Sequence, residues 1–566
     1  MILRRLRINS IKIAGERSFA IDQARGRLVL ISAVFMLCYM VIAARVIDLT
    51  VIQGHLGHER TASLQDSHPS ATAITRADVV DRNGVLLATT LKMASLYADP
   101  ALITDAESTA KGLVKIFPSL SYGDTLQKLQ SKKHFVWVQR NLTPHEQYAV
   151  LELGQPGLGF QRTDRRIYPQ GELSSHLIGY TNVDNHGLAG IERSFDRFLG
   201  DGKPLTLTID IRLQHALRRE VQKAMSDFTA KAGVGVIMDV ANGEVLAGVS
   251  LPDFDPHKAG AANSDAIFNR LSLGVYELGS MFKIFSTAAL LETHGSPMST
   301  TFDAREPLKA GRFTINDYHA QKRILTIPEV FMHSSNIGSA LMGLEVGTKV
   351  LKDFYTDLGL LTPMEIEISE VGKPMVPDPW GDVSTMTASY GHGVATTPFQ
   401  LTSAVSTIVN GGFFVKPKLI LGADNDNKSD LRIVSPQTAE SMRKLLRLVV
   451  SDGTGKNADV PGYSVGGKTG TAEKIGAKGY DRKRLISSFV GVFPMENPRY
   501  AVMVMVDEPK GNKESFGYAT AGWVAAPAVA RVVSSMGAIL GIPVRAQNGV
   551  PEISASLKKY VRFEDE

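Results

Sequence analysis

The sequence predicts an α+β protein carried behind one apolar helix at its N-terminus. Three observations predict it. The basic surplus lies wholly within residues 1–27 and is followed at once by an uncharged apolar run. Residues 50–200 alternate short apolar segments with turn signals, and from Leu205 onward β-rich runs stand at both ends of a segment whose middle is helical. Bulk composition agrees: at 566 residues, 44% hydrophobic and 21% charged, the chain is near the globular average and long enough for several domains. That excludes intrinsic disorder, collagen-like repeats and a polytopic membrane protein. Cys38 is the single cysteine, so neither an intramolecular disulfide nor a cysteine-rich zinc site is available.

The first element follows from charge. Arg4, Arg5, Arg7, Lys12, Arg17, Arg25 and Arg27 stand against only Glu16 and Asp22, a surplus equal to the whole chain's +5. The rest of the chain therefore balances, and no basic face is left for nucleic acid. Residues 28–44, LVLISAVFMLCYMVIAA, carry no charge and no proline. At about 1.5 Å per residue they cover roughly 26 Å, and Arg45, Val46 and Ile47 extend the run to the ~30 Å of a bilayer core. Positive charge before the span places the N-terminus in the cytoplasm and everything after about residue 48 outside it. The alternative is a cleaved signal peptide ending near Val41-Ile42-Ala43. Against it, the apolar run exceeds the usual 7–15 residues and continues without a helix breaker.

In residues 48–203, Asp81-Arg82-Asn83-Gly84 before VLLATT, HFVWVQRNL at 134–142 and Pro156-Gly157 read as strands and turns. In residues 204–545, Leu213, Leu217, Val221 and Met225 fall at helical spacing within 212–230. The run 233–250 is a hairpin about Asn242-Gly243. Helical patterns cover 280–293 and 327–358, strands cover 464–472, 486–493 and 499–507 with a turn at Asn497-Pro498, and 523–536 is a closing helix. The polar tail 546–566 is expected to be poorly ordered.

Three motifs carry chemistry. Ser280-Met-Phe-Lys283 opens an apolar helix, and spacing i, i+3 sets a hydroxyl and an amine on one face one turn apart. Serine is a weak nucleophile and needs a base; lysine serves once burial or a nearby cation lowers its pKa. Ser108–Lys111, Ser441–Lys444 and Ser556–Lys559 share the pattern, but only Ser280 has a glycine before it and an apolar helix former after it. Ser334-Ser335-Asn336 suits a turn between helices with both outer side chains in one cleft; read alone, it is equally an ordinary helix cap. Lys468-Thr469-Gly470-Thr471 reads as a strand with Lys468 and Gly470 on one face and Thr469 and Thr471 on the other. Gly470 permits close approach of a ligand or another chain. No metal cluster or cofactor motif stands out, so no cofactor is expected.

Lys468 also belongs to a second pattern. Gly462 to Thr469 matches G-x-x-x-x-G-K-[ST], and AVMVMVDE at 501–508 ends in Asp507-Glu508, as in a P-loop nucleoside triphosphatase. That loop must follow a strand and open a helix, whereas Lys468 is followed by Gly470 and β-rich or polar segments.

The order S-x-x-K, S-x-N, K-T-G resembles the serine β-lactamases and penicillin-binding proteins, whose middle motif is S-D-N where Ser-Ser-Asn stands here. Over residues 25–540 the chain most resembles the class B penicillin-binding proteins, and among them the division-specific peptidoglycan D,D-transpeptidases. The resemblance also rests on ITRADVVDRNGVLLA at 74–88, DRRIYPQGELSSHLIGYTN at 164–182, GLAGIERSFDRFL at 187–199, YGHGVATTPFQLTSA at 390–404, NGG at 410–412 and GWVAAPAVARVV at 522–533. Leu278 departs from a common proline and His392 from a common glutamine, and both departures are expected to alter only local loop shape. The fold implied is a β-rich, non-catalytic pedestal of the dimerisation type over 48–203. A transpeptidase domain over 204–545 follows, an antiparallel sheet with helices on both faces and a helical subdomain.

The resemblance further implies Ser280 as nucleophile and Lys283 as its base. Ser334 and Lys468 would relay a proton to the leaving group, and Asn336 would orient Lys283 and substrate. The N–H groups of Ser280 and Thr471 would form the oxyanion hole, and Thr469, Gly470 and Thr471 would bind substrate. Peptidoglycan stem peptides are the implied substrate, β-lactams the inhibitors, and a membrane-embedded peptidoglycan polymerase with other division proteins the partners. An elongation-specific transpeptidase is the nearest alternative. A β-lactamase would gain nothing from the pedestal, and a β-lactam sensor would need a cytoplasmic output domain that 27 residues do not supply.

Overall fold

The computed structural model describes residues 27, 29–30, 32–43, 75–311, 313–422, 431–476, 479–544 and 552–563. Two compact units result, residues 1–74 and 75–566. In the first, Ser32–Ala43 (α1) is an apolar helix with exposed side chains, Phe35 and Tyr39 among them. Residues 28, 31 and 44–47 of the expected anchor lie outside the described residues.

The second unit begins with a sheet built on β2 (Leu86–Ala98), which pairs antiparallel with β1 (Val79–Val80), β3 (Val136–Leu142) and β4 (Leu158–Ile167). Helices α2 (Ala106–Ile116), α3 (Tyr122–Leu129) and α4 (Pro144–Glu152) accompany it, the last opened by a Thr143/Glu146 capping box. The β1–β2 turn forms because Asp81 Oδ1 accepts the N–H groups of Asn83 (2.7 Å) and Val85 (2.8 Å) while Gly84 takes φ +83°. The other oxygen, Oδ2, accepts the Ile211 N–H at 3.1 Å. Together with the parallel pairing of β1 and β5 (Leu205–Thr206), this ties the pedestal to the start of the following segment.

Beneath this sheet lies a buried ion cluster. Glu192, with no exposed surface, accepts Arg76 Nε at 2.6 Å and Arg166 Nε at 2.7 Å, while Arg76 also holds Asp196 at 2.6 Å. Removing one member of a buried cluster leaves its partners charged and unpaired. Glu192→Ala is expected to cost about 3 kcal/mol, read as a lower denaturation midpoint; an unchanged midpoint would mean that water replaces the carboxylate.

The central sheet has the order β12-β13-β14-β6-β7, all antiparallel, with β6 (Ala232–Asp239), β7 (Val245–Leu251), β12 (Gly466–Gly476), β13 (Gly479–Phe493) and β14 (Tyr500–Asp507). Strands β6, β7 and β14 are buried on both faces and read as continuous apolar runs, whereas β12 and the start of β13 carry polar residues. On one face pack α5 (Ile211–Asp227) and α11 (Ala521–Leu540). Among the described residues, α11 is the helix long and apolar enough to cross a membrane by composition. Val524, Ala528, Val529, Val532 and Val533 are buried in the core on this face of the sheet, so α11 is a core helix. The other face carries the subdomain of α6 (Lys283–His294), α7 (Ile327–Met332), α8 (Asn336–Val346), α9 (Pro398–Val409) and α10 (Pro436–Ser451).

Three expectations are corrected. The helical pattern 327–358 divides at Ser334 (φ +59°), where the motif suits a turn between helices, and is broken unexpectedly at Gly347 (φ +86°), giving α7, α8 and a helix at Thr348–Asp357. The β12–β13 hairpin runs past 472 to Gly476, and β13 begins at Gly479. Tail residues 552–563 are ordered against the domain: Leu557 and Val561 are buried, Glu552 pairs with Arg447 at 2.6 Å, and Arg562 N–H donates to Glu329 at 2.8 Å. The apolar pair four residues apart in a polar tail supplies the anchor that composition alone obscured.

Candidate active site

The Ser280 turn comes first. Gly279–Phe282 forms one 3₁₀ turn leading into α6, with Ser280 half-buried and Lys283 fully buried. Gly279 takes φ +54°, and a Cβ there would lie 2.8 Å from the Thr471 carbonyl. A Cβ on Gly470 would lie 2.4 Å from the Leu278 carbonyl. Both glycines are therefore required for β12 to run backbone to backbone with the turn, which sets Thr471 beside Ser280.

The second motif sits in the break between α7 and α8. Ser335 caps α8, its Oγ accepting the Gly338 N–H at 2.9 Å. That leaves Ser334 and Asn336 free to face Lys283. Lys283 Nζ lies 3.1 Å from Ser334 Oγ and 2.8 Å from Asn336 Oδ1, and it also donates to the Ser334 carbonyl. The left-handed backbone at Ser334, rare for a residue with a Cβ, brings its carbonyl and hydroxyl to the same amine.

From β12, Lys468 Nζ donates to Ser334 Oγ at 2.9 Å, so the serine hydroxyl bridges two lysines. Thr469 Oγ1 is 2.9 Å from Thr454 Oγ1, and Thr471 Oγ1 accepts the Ala521 N–H at 3.1 Å. That bond leaves the Thr471 hydroxyl hydrogen available to a ligand. The structure thus brings Ser280, Lys283, Ser334, Asn336, Lys468, Thr469, Gly470 and Thr471 to one place. Ser108, Ser441 and Ser556 stand on other elements.

Electrostatics act on the two lysines. Burial drives the Lys283 pKa well below its ordinary 10.5, the charge of Lys468 pushes it further down, and Asp317 opposes both. Lys468 is lowered to about 7 by burial. Like charges this close are not both favourable in a dry site, so a neutral Lys283 is the preferred partner of a charged Lys468.

Several supporting residues escaped the sequence reading. Asp317 Oδ1 accepts the N–H groups of Asn336 (2.5 Å) and Ile337 (2.9 Å), and its Oδ2 accepts Ser335 Oγ–H at 2.7 Å. The Asn316 carbonyl accepts Asn336 Nδ2 at 2.9 Å, which turns the amide oxygen toward Lys283. Asn316-Asp317 stands 18 residues before Ser335 and carries no spacing signal. His392 is more than a matter of loop shape: burial, reinforced by Lys283 whenever that amine is charged, lowers it to about 4, so it faces the site neutral. Its ring lies 5.2 Å from Tyr390 and 5.0 Å from Tyr480, whose hydroxyl donates to Glu277 at 3.1 Å. The P-loop reading fails on geometry, because Lys468 lies in an extended strand of an antiparallel hairpin and no helix follows it.

Residues 233–533 match the family described as the penicillin binding protein transpeptidase domain, and residues 71–201 the penicillin-binding protein dimerisation domain. The chain is 42% identical over 485 residues to a probable peptidoglycan D,D-transpeptidase FtsI of Caulobacter vibrioides, covering 82% of each. It is 28% identical to the peptidoglycan D,D-transpeptidase FtsI of Escherichia coli K12, covering 89% of this chain and 88% of that one. A crystal structure of penicillin binding protein 3 from Mycobacterium tuberculosis complexed with aztreonam superposes with a TM-score of 0.66 at 25% identity, covering 85% of this chain and 98% of the other. With a transpeptidase-domain match over more than half its length and a dimerisation-domain match ahead of it, the chain belongs to the class B penicillin-binding proteins.

Proposed function

We propose that the chain is a membrane-anchored peptidoglycan D,D-transpeptidase that cross-links stem peptides of the septal wall through an acyl-enzyme on Ser280. The observation that carries the reading is a buried amine, Lys283, held by Ser334 and Asn336 one helical turn after a serine. Ser280 Oγ attacks the carbonyl between the last two D-alanines and its proton passes to neutral Lys283. The N–H groups of Ser280 and Thr471 stabilise the oxyanion. As the C–N bond breaks, a proton reaches the departing D-alanine through Ser334, bridged to Lys468 at 2.9 Å. Thr469 and Thr471 hydroxyls hold the substrate carboxylate, and Lys468 adds positive potential. An amine of a second stem peptide then attacks the ester, forming the cross-link and releasing Ser280.

The basic residues before 28–44 support a cytoplasmic N-terminus and a periplasmic catalytic domain. The domains of this reading are a basic segment 1–27, an anchor 28–47, a pedestal 48–203, a transpeptidase domain 204–545 and the tail.

The same serine accepts β-lactams. Purified protein mixed with labelled penicillin is expected to form one covalent adduct per chain that persists far longer than a catalytic turnover. Rapid hydrolysis with many turnovers would indicate a β-lactamase and overturn the reading.

A further inference from the structure

The ordered tail lines a second, open cavity. It has a volume of about 530 Å³ and lies between β11 (Ile324–Thr326), the residues just before it, and tail residues 559–562, at the opposite end of α7 from Ser334. Five cationic side chains line it, Arg305, Lys322, Arg323, Lys559 and Arg562, against one carboxylate, Glu329.

That carboxylate is fully committed. Glu329 Oε1 accepts Arg323 Nη1 (2.7 Å) and Arg562 N–H (2.8 Å), while Oε2 accepts Thr326 N–H (2.9 Å) and lies 3.2 Å from Thr326 Oγ1. Arg305 is held by Asp303 at 2.7 Å. Among the described residues Lys322 and Arg562 form no ion pair, Lys559 lies over the Tyr560 ring at 4.9 Å, and Arg323 Nη2 is buried without an acceptor. Five cations around one committed carboxylate give the cavity a positive potential that favours an anion.

The geometry points to a binding site for a phosphate or diphosphate group carried on a larger molecule. Singly charged ions would leave most of the surplus uncancelled. Guanidinium and ammonium groups together match tetrahedral phosphate oxygens, and the volume exceeds what one phosphate fills, falling in the range of small-ligand sites. The group could come from a soluble phosphate ester or from a lipid headgroup. The site is independent of acylation, because no lining residue belongs to the Ser280 centre.

The test uses the full chain in neutral detergent, with inorganic pyrophosphate as probe and calorimetric titration as readout. Binding that weakens at least tenfold in Lys322→Gln/Arg562→Gln, and also weakens in Lys559→Gln, supports the site. Retained penicillin labelling certifies that each variant is folded. Pyrophosphate binding that is absent, or unchanged in both variants, overturns it. Mixed micelles then identify the source: displacement of pyrophosphate by phosphatidylglycerol but not phosphatidylcholine assigns a lipid headgroup, and displacement by neither assigns a soluble phosphate.

Discussion

Ser280→Ala is expected to abolish covalent attachment of labelled penicillin while leaving the fold intact. The substitution removes one hydroxyl from a half-buried position, and the backbone that shapes the turn depends on Gly279 and Gly470 and not on the serine side chain. Its thermal midpoint should therefore stay within the scatter of ordinary surface changes, about 0.5 kcal/mol. Non-covalent binding should persist, since Thr469, Thr471 and Lys468 are untouched. Label that survives on a folded variant would remove Ser280 from the mechanism.

Lys283→Ala should lower the acylation rate by about 10³-fold, the size of a lost general base. Lys283→Arg should fare no better, because a guanidinium stays charged and cannot accept a proton. The pH dependence has a definite sign. A lysine whose pKa is depressed by burial and by Lys468 is neutral above its folded value and charged below it. Acylation is therefore present at higher pH and lost as pH falls through that value. Stability moves the same way: between the depressed folded value and the ordinary 10.5 the unfolded chain holds a proton that the folded chain lacks, so stability rises with pH across that window. Lys468, lowered to about 7, adds the same trend above about 7. An acylation rate that stays flat across the whole pH range in which the protein is folded contradicts Lys283 as the base.

Much of this was legible in the sequence because it is local. The strands at 233–250 and 486–507 and the helix from 212 follow from periodicity and turn residues within each segment, and the three motifs carry their chemistry in adjacent letters. What escaped the reading depends on tertiary placement. Asp317 matters through hydrogen bonds to residues 18 to 20 positions away. The turn at Ser334-Ser335-Asn336 was legible, but the left-handed backbone that aims both the carbonyl and the hydroxyl of Ser334 at Lys283 was not. The tail is held by four separated contacts, through Glu552, Leu557, Val561 and the Arg562 N–H, none of which outweighs the polar letters around it.

The most direct measurement is mass spectrometry of the penicillin-labelled protein after trypsin digestion. Cleavage after Arg270 and Lys283 isolates residues 271–283, whereas Ser334 falls in the peptide 324–349. The intact penicilloyl mass should appear on residues 271–283 and fragment to Ser280. Label on the peptide containing Ser334, or spread over several serines, would contradict the assignment.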